Sequence, residues 1–539
     1  MSKRLKDPIY GYITIDDKII KEIVDTAEFQ RLRNVVQTSY APLYSSAVHN
    51  RFVHSLGVYY LGTLVAENIK SVVEKELKDT EYERCIEVFL LACLLHDVGH
   101  APFSHTGEEY YLKSGERVEL HKRLSELTGD SNLEEEISQK SYKAAPHELM
   151  SAIVAIECFG DIIGDDKEKS FFARCITGYQ YVMDEDEKYK ILNCVISLLN
   201  SSVIDVDKLD YLIRDAYITG FDTINIDYER LLRSIYIKKD LVKREADYEV
   251  VYTKGAISVI ENVVYAHDAE RKWIQNHPVV QYEGFLIKRI IDDLNEKYGD
   301  NVLFSEDALS KEGRMIKGEN VRVSLLCDAD IVFLMKNLDD NKYVEEYLDR
   351  GKRRHPLWKS EAEYRALFGT CFSAQTYEVL EQEMVALLKY LNYIQHSNVI
   401  NEVSLKACEE DIQAAEKLYE ESGRNKKFRK QVEDKKEYKC WMEAFKEFAD
   451  KQGIDFDFVL LEETLFSSGF AKERLSELKV EFPDLKSLSR LGEISTVLSS
   501  HSAGRDKFFY VFYRRDDKKN IRMIELVNIL DYLVRNKVQ

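Results

Sequence analysis

Residues 88–105, VFLLACLLHDVGHAPFSH, run eight apolar residues into a His–Asp pair and then into a turn. An apolar stretch of this kind, continued backwards in a 3.6-residue period, predicts a buried helix over Glu83–Leu95. It falls well short of the roughly 20 residues that a membrane helix needs. Gly99 then breaks the helix, so His96 and Asp97 leave its C-terminal end as neighbours, directed toward one pocket.

Outward from this segment the same periodicity recurs. It predicts helices over Val58–Glu76, Glu148–Phe159, Tyr189–Leu199, Thr376–Ile394 and Glu402–Ser422, and the low proline count, seven, agrees with a mainly helical chain. Strand patterns are few: YEVVYT (Tyr248–Thr253) and FFYVFYRR (Phe508–Arg515) are rich in aromatic and β-branched residues. The mixed-charge run RNKKFRKQVEDKKEY (Arg424–Tyr438) reads as a solvated helix face or a linker. The fold class expected is mainly α, a helical core with small β elements and a helical C-terminal lobe ending in a small α+β module. The expected boundaries are residues 1–298 for the first domain and 299–539 for the helix-rich C-terminal lobe, with the α+β module from about residue 440.

Composition narrows the function. At 539 residues, with 45% hydrophobic and 32% charged residues, the chain is of ordinary globular type and long enough for two or more cores. Its 76 basic and 95 acidic residues give a formal charge of −19, which disfavours nucleic acid or an anionic membrane as a partner of the whole surface. Nine cysteines form no CxxC pair and are expected to be reduced. The N-terminus has no apolar run after its basic residues, so a cytoplasmic location is expected. No internal repeat is evident.

Three separated segments supply His and Asp together: HNRFVHSLGVYYLG (49–62), the stretch quoted first, and IDVDKLDYLIRD (204–215). In them His54 opens a helix, His96 and Asp97 close one, and Asp207 lies near a helix junction. Any single His or Asp is usually core or surface; their conjunction points to a metal. Imidazole and carboxylate donors make an N/O site that suits Fe, Mn, Zn, Ni or Co, and a small ligand set leaves positions open for water. Such an ion lowers the pKa of water and neutralises phosphate charge.

These segments resemble the HD-domain superfamily, whose metal motif is H…HD…D, and more closely its deoxynucleoside triphosphate triphosphohydrolases of the SAM- and HD-domain type. The resemblance includes DPIYGYI (7–13), DTAEFQRLRNVVQ (25–37), HNRFVHSLG (49–57), HDVGHAPFSH (96–105), PHE (146–148) and IDVDKLDYLIRD (204–215). It weakens through SLLCDADIVFLMK and SEAEYRALFG as far as about residue 392. It implies His54, His96, Asp97 and Asp207 as metal ligands, and Mg accompanying the substrate phosphates. It further implies Arg51 and Lys208 as phosphate contacts, with Gln37, Tyr211 and Asp215 at the sugar or phosphate tail. His100, His105, Glu108 and His147 lie near the reacting phosphate on this reading, with His105 as general acid. The implied reaction converts a deoxynucleoside triphosphate to a deoxynucleoside and inorganic triphosphate, in nucleotide-pool control or antiphage defence. In nucleotide-activated relatives the positions of Asp25, Gln30 and Arg33 bind an activating nucleotide between subunits, which implies a dimer or tetramer here.

Other readings stay open for several of these residues. Arg51 can pair with a carboxylate between helices, His147 can cap or pack, Tyr211 can belong to the core, and Asp25 or Arg33 can form a salt bridge. The stretch QTSYAPLYSSAVHNRF replaces a glycine-rich wall of many relatives. In AHDAERKWIQNHPVV (266–280), His267 and Gln275 stand where relatives have Arg and Tyr, so the triphosphate clamp is expected to be rebuilt with Arg271 or Lys272. Two alternatives remain: an HD phosphatase or phosphodiesterase acting on another nucleotide, and a nucleotide-sensing protein that binds without turnover.

Overall fold

The computed structural model describes residues 2–112, 117–133, 144–182, 186–201, 203–221, 225–240, 247–299, 303–316, 321–463, 475–483, 485, 488–495, 508–514 and 520–538. The chain is predominantly helical with small sheets, as its periodicity predicts. Contacts divide it into one unit of Met1–Gln275, Glu283–Val344 and Ser468–Ser502, and a second of Asn276–Tyr282, Glu345–Ser467 and Ala503–Gln539.

The first unit is built on α1 (Arg51–Glu76) and α2 (Cys85–Leu95), followed by α3 (Pro146–Ile163), α4 (Asp166–Thr177), α5 (Glu187–Leu199) and α6 (Val206–Thr219). Helix α2 packs against α1, α3, α4 and α5. Its Val88, Phe89, Leu91, Ala92, Cys93, Leu94 and Leu95 are all buried, which explains a helix apolar on nearly every side. Each large apolar side chain so buried contributes about 1.5–3 kcal/mol. Helix α1 starts seven residues before the predicted Val58, because Asn50 caps it by accepting a bond from the Val53 N–H (3.2 Å). That extension places His54 in its first turn.

Three small sheets complete the unit among its described residues, the smallest pairing Arg314–Met315 with Arg322–Val323. Ser2–Asp7 and Gly11–Asp16 form an antiparallel hairpin. A four-stranded sheet runs in the order Ser489–Arg490, Lys479–Glu481, Asp247–Thr253, Ile235–Asp240, with Lys479–Glu481 parallel to Asp247–Thr253. Helix α7 (Ile257–Glu270) follows, and α8 (Asp328–Met335) comes after it in the chain.

In the second unit, α9 (Ala374–Gln395), α10 (Glu402–Glu421), α11 (Lys426–Gln452) and α12 (Met523–Val538) surround a sheet ordered His355–Pro356, Phe508–Tyr513, Asp457–Glu463, Val399–Asn401. All six residues of Phe508–Tyr513 are buried, and the Trp358 indole donates to the Phe509 carbonyl at 3.1 Å. The charged run 424–438 is the exposed beginning of α11 and not a linker. Of the described strands after residue 440, Asp457–Glu463 pairs with Val399–Asn401 and Phe508–Tyr513 with His355–Pro356, while Lys479–Glu481 pairs with Asp247–Thr253. Residues to 344 and a returning C-terminal segment group with the first unit. Arg515, the last residue of the second strand expected from the sequence, lies outside the described residues.

Candidate metal centre

Four side chains from three helix ends meet in the first unit. His54 comes from the first turn of α1, His96 caps the C-terminus of α2, Asp97 follows it, and Asp207 lies in the first turn of α6. His54 Nε2 is 3.0 Å from Asp207 Oδ1, 3.2 Å from His96 Nε2 and 3.5 Å from Asp97 Oδ2. His96 Nε2 lies 3.5 Å from Asp207 Oδ1 and 3.6 Å from Asp97 Oδ1. Donor atoms about 2.1 Å from a common ion would be separated by roughly 3.0–3.4 Å, a spacing that His54, His96 and Asp207 approach, while Asp97 flanks them and turns a different oxygen to each imidazole.

The far sides of both imidazoles are already committed. His96 Nδ1 is 3.0 Å from the Cys93 carbonyl, and His54 Nδ1 is 2.7 Å from Asp210 Oδ2. Each acceptor places the ring proton on Nδ1 and leaves the Nε2 lone pair facing the centre, the arrangement that a metal ligand needs. Burial lowers the pKa of His54, but Asp207, Asp210 and Asp97 outweigh it and push it up to about 9. The field that favours a proton there also favours a cation. For Asp97, burial acts upward, but Arg51, His96 and His54 together hold its carboxyl well below the usual range.

Asp210 was not singled out in the sequence. It is fully buried, accepts from the Tyr10 hydroxyl (2.7 Å) and receives Arg214 on both oxygens (2.9 and 3.0 Å), while Arg214 also reaches Asp7 at 3.1 Å. DPIYGYI and IDVDKLDYLIRD are thus joined behind His54. The legible signal was Gly57 inside a helix: a Cβ there would lie 1.9 Å from Asp210 Oδ1. Changing Asp210 to Asn is expected to weaken metal affinity about 10- to 100-fold, measured by competition with a chelator. Unchanged affinity would separate Asp210 from the centre.

A second group lies beside the first. His105, on the one-turn helix His105–Glu108, has Nδ1 3.1 Å from Glu108 Oε1, and the other Glu108 oxygen accepts from His147 Nδ1 in a short contact. Burial lowers the pKa of His147, but Glu108 outweighs it and pushes it up to about 9. His147 stacks on buried His100 with ring centroids 4.4 Å apart. Gly99 permits the turn to approach α3: a Cβ there would meet the Met150 and Ser151 backbone at 2.4 Å.

The backbone entering His105 is held under strain. Phe103 and Ser104 adopt φ of +57° and +53° without being glycine, at a cost of about 1–3 kcal/mol each. Asp328 offsets this by accepting from the Phe103 N–H (2.7 Å) and the Val36 N–H (2.9 Å). Arg31 donates to the carbonyls of Leu326, Val98 and His100 at 2.7, 2.8 and 3.0 Å. Neither residue was singled out in the sequence. An Asp328→Ala variant is expected to lose about 1–3 kcal/mol of stability, the cost of leaving the N–H groups it accepts from unpartnered, as read in chemical denaturation. Wild-type stability would show that the turn holds its positive φ without this clamp.

The expected substrate residues are placed less uniformly. Arg51 donates to Asp97 Oδ2 and Ser104 Oγ, both at 2.8 Å, and to the Gln37 carbonyl at 3.3 Å. Lys208 Nζ lies 2.5 Å from Asp205 Oδ2 and 2.8 Å from the Ser201 carbonyl. Both cations therefore border the centre while paired with carboxylates. Gln37 is buried with Oε1 unpartnered. Asp215 is bonded to His49 at 2.7 Å and faces Glu270, which binds Gln275 at 2.9 Å. Burial and Asp215 raise the Glu270 pKa well above the ordinary carboxylate value. Tyr211 is half-buried; burial, Glu270 and Asp207 raise its phenol. Arg271 is half-buried and begins a π-helical turn after α7.

Of the expected allosteric residues, Arg33 donates to the Gln30 side chain at 2.8 Å and lies 3.5 Å over the Phe52 ring. Gln30 also donates to the Val24 carbonyl at 2.6 Å. Asp25 ends the helical turn Ile20–Val24.

Residues 51–165 match the family model described as HD domain. The chain is 28% identical over 305 residues to the uncharacterized protein YwfO of Bacillus subtilis (strain 168), covering 56% of this chain and 58% of that protein. It is 28% identical over 352 residues to the deoxynucleoside triphosphate triphosphohydrolase SAMHD1 of Xenopus laevis, covering 58% and 53%. The chain spans about half the length of the curated relatives it matches. Among solved structures, a phosphohydrolase from Bacteroides thetaiotaomicron superposes with a TM-score of 0.53 at 18% identity, over 96% of this chain and 100% of that one, which is a likeness of fold. No helix among the described residues is long and apolar enough to cross a membrane. Residues 51–165 are thus similar to the HD domain, and α6 sets Asp207 beside their His54 and His96.

Proposed function

We propose that the chain is a metal-dependent phosphohydrolase that converts deoxynucleoside triphosphates to deoxynucleosides and inorganic triphosphate. The carrying observation is the pair of imidazoles whose Nδ1 atoms are engaged by Asp210 and the Cys93 carbonyl, so that both Nε2 atoms converge with Asp97 and Asp207. A divalent ion held there supplies positive charge for the phosphate oxygens and a water-derived nucleophile at neutral pH. The donor set suits Fe, Mn, Zn, Ni or Co, and Mg accompanies the phosphates.

His105 is the proton donor to the leaving 5′-oxygen. Its Nδ1 rests on Glu108, which orients the ring and leaves Nε2 to deliver the proton. Glu108 and His147 hold that donor in place, with His100 stacked behind. Arg51 and Lys208 turn from their carboxylates to the phosphates, while Gln37, Tyr211 and Asp215 contact the sugar and Arg271 completes the clamp. The deoxynucleotide assignment is supported by relatives bearing that activity in their names. A homo-oligomer regulated by a nucleotide at Asp25, Gln30 and Arg33 belongs to the same proposal. Added dNTPs are then expected to change rate or assembly in the wild type and not in Arg33→Ala, read by steady-state kinetics and light scattering. Identical responses would remove the regulatory part.

A second reading has one specific observation behind it. In the expected clamp region the carboxyl groups of Glu270 and Asp215 face each other where a triphosphate would need cations, which favours a nucleotide with fewer phosphates and an HD phosphatase or phosphodiesterase activity. Incubating each dNTP and NTP, alone and in pairs, with Mg, Mn, Fe or Co separates the readings. Deoxynucleoside with triphosphate supports the first; monophosphate or orthophosphate from the same panel supports the second.

A further inference from the structure

His100, His105, Glu108 and His147 offer three imidazoles and a carboxylate whose potential ligand atoms all lie within 4.8 Å of one another. They come from three short pieces of chain: the turn after α2, the one-turn helix His105–Glu108 and the start of α3. The rings form a compact array, with His100 stacked on His147 and His105 edge-on to both at 5.2 and 5.1 Å.

His100 supplies an independent indication of a ligand. Its side chain is fully buried and both ring nitrogens lack a hydrogen-bond partner. A neutral imidazole left so has an unmet donor and an unmet lone pair, and an unpartnered buried polar group costs about 1–3 kcal/mol. A phosphate oxygen can meet the N–H but not the lone pair; a metal ion meets the lone pair. Three nitrogens and one oxygen match a tetrahedral borderline ion and are a poor set for Mg or Ca, which take oxygen donors. Modest rotation of His105, whose side chain is 65% exposed, would contract the group around an ion.

We propose that these four residues form a second divalent transition-metal site of the zinc type, separate from the one at His54, His96, Asp97 and Asp207. Filling it inhibits the enzyme, because His105 then gives its nitrogen to the ion and cannot donate a proton. The inhibitory clause rests on the hydrolytic reading above; the binding clause does not. The two centres are adjacent, since His100 Nε2 is 3.9 Å from Asp97 Oδ1.

The test is titration of the full metal-free chain with Zn²⁺ and, separately, Co²⁺, with bound metal counted by mass spectrometry after dialysis and Co²⁺ coordination read from its visible bands. Two ions per chain are expected in the wild type and one in Asp207→Ala. One is also expected in His105→Ala and in the near-isosteric Glu108→Gln, which guards against a folding defect in the first variant. Four-coordinate Co²⁺ bands should persist in Asp207→Ala. A wild-type stoichiometry of one, or a second ion retained by both His105→Ala and Glu108→Gln, overturns the site. Turnover should fall at least tenfold as the second equivalent of Zn²⁺ binds. Unchanged turnover at full occupancy overturns the inhibition while leaving the count of ions intact. Absence of turnover on every nucleotide defeats the hydrolytic reading and its inhibitory corollary together, and the ion count still decides the site.

Discussion

Asp207→Ala is expected to lose the metal from the HD centre and to hydrolyse nucleotides at least about a thousandfold more slowly, because the ion supplies several kcal/mol of charge stabilisation to the reaction. Its oxygen is the nearest carboxylate neighbour of His54 Nε2, at 3.0 Å, and also faces His96. Removing it leaves two imidazoles and Asp97, the latter already bonded to Arg51. The fold should survive, since the Asp207 side chain is 35% exposed and α6 remains capped by Asp205. Metal analysis and circular dichroism on the same sample check both halves. The double change His96→Ala with Asp97→Ala should behave likewise in metal content. Normal turnover in either variant would contradict the ligand assignment.

Gly57→Ala is expected to destabilise the first unit strongly, although alanine is the better helix former by about 1 kcal/mol. The added Cβ would meet Asp210 Oδ1 at 1.9 Å and the Arg214 guanidinium at 2.5 Å. Both are almost wholly buried and tied to each other, to Tyr10 and to Asp7, so neither can move without breaking the array. Disrupting a buried ion pair costs about 3–5 kcal/mol, and a loss of that order is expected in chemical denaturation. Displaced Asp210 would also release His54, so metal affinity should fall in parallel. Gly62→Ala is the control on the same helix: its nearest obstacle is the Cys93 side chain at 2.8 Å, outside the polar array, and its effect on metal affinity should be small. Equal stability in Gly57→Ala and wild type would show that α1 and α6 separate at little expense.

Much of this arrangement was legible because it depends on local pattern. The apolar period located α2, and the position of His96 and Asp97 at its end followed from Gly99. The start of α1 was missed because HNRFVHS mixes polar and apolar residues without a clear period, and the Asn50 cap decides it. The hairpin of residues 2–16 was missed because SKRLKD is mostly charged and exposed. The sheet partners were not readable: Lys479–Glu481 pairs with Asp247–Thr253, more than 200 residues away. The supporting carboxylates were hidden for a different reason. Asp210, Glu270 and Asp328 are three of 95 acidic residues, and only burial distinguishes them from solvated ones. Arg31 was passed over for its neighbours Gln30 and Arg33, although it is the arginine that binds the turn carrying His96 and His100.

The most direct measurement is the product balance of the metal-loaded chain supplied with a dNTP. The expected result is deoxynucleoside and inorganic triphosphate in equal amounts, with neither formed by Asp207→Ala. Monophosphate with pyrophosphate, orthophosphate release, or tight nucleotide binding by metal-loaded protein without any product would contradict triphosphohydrolysis at this HD centre.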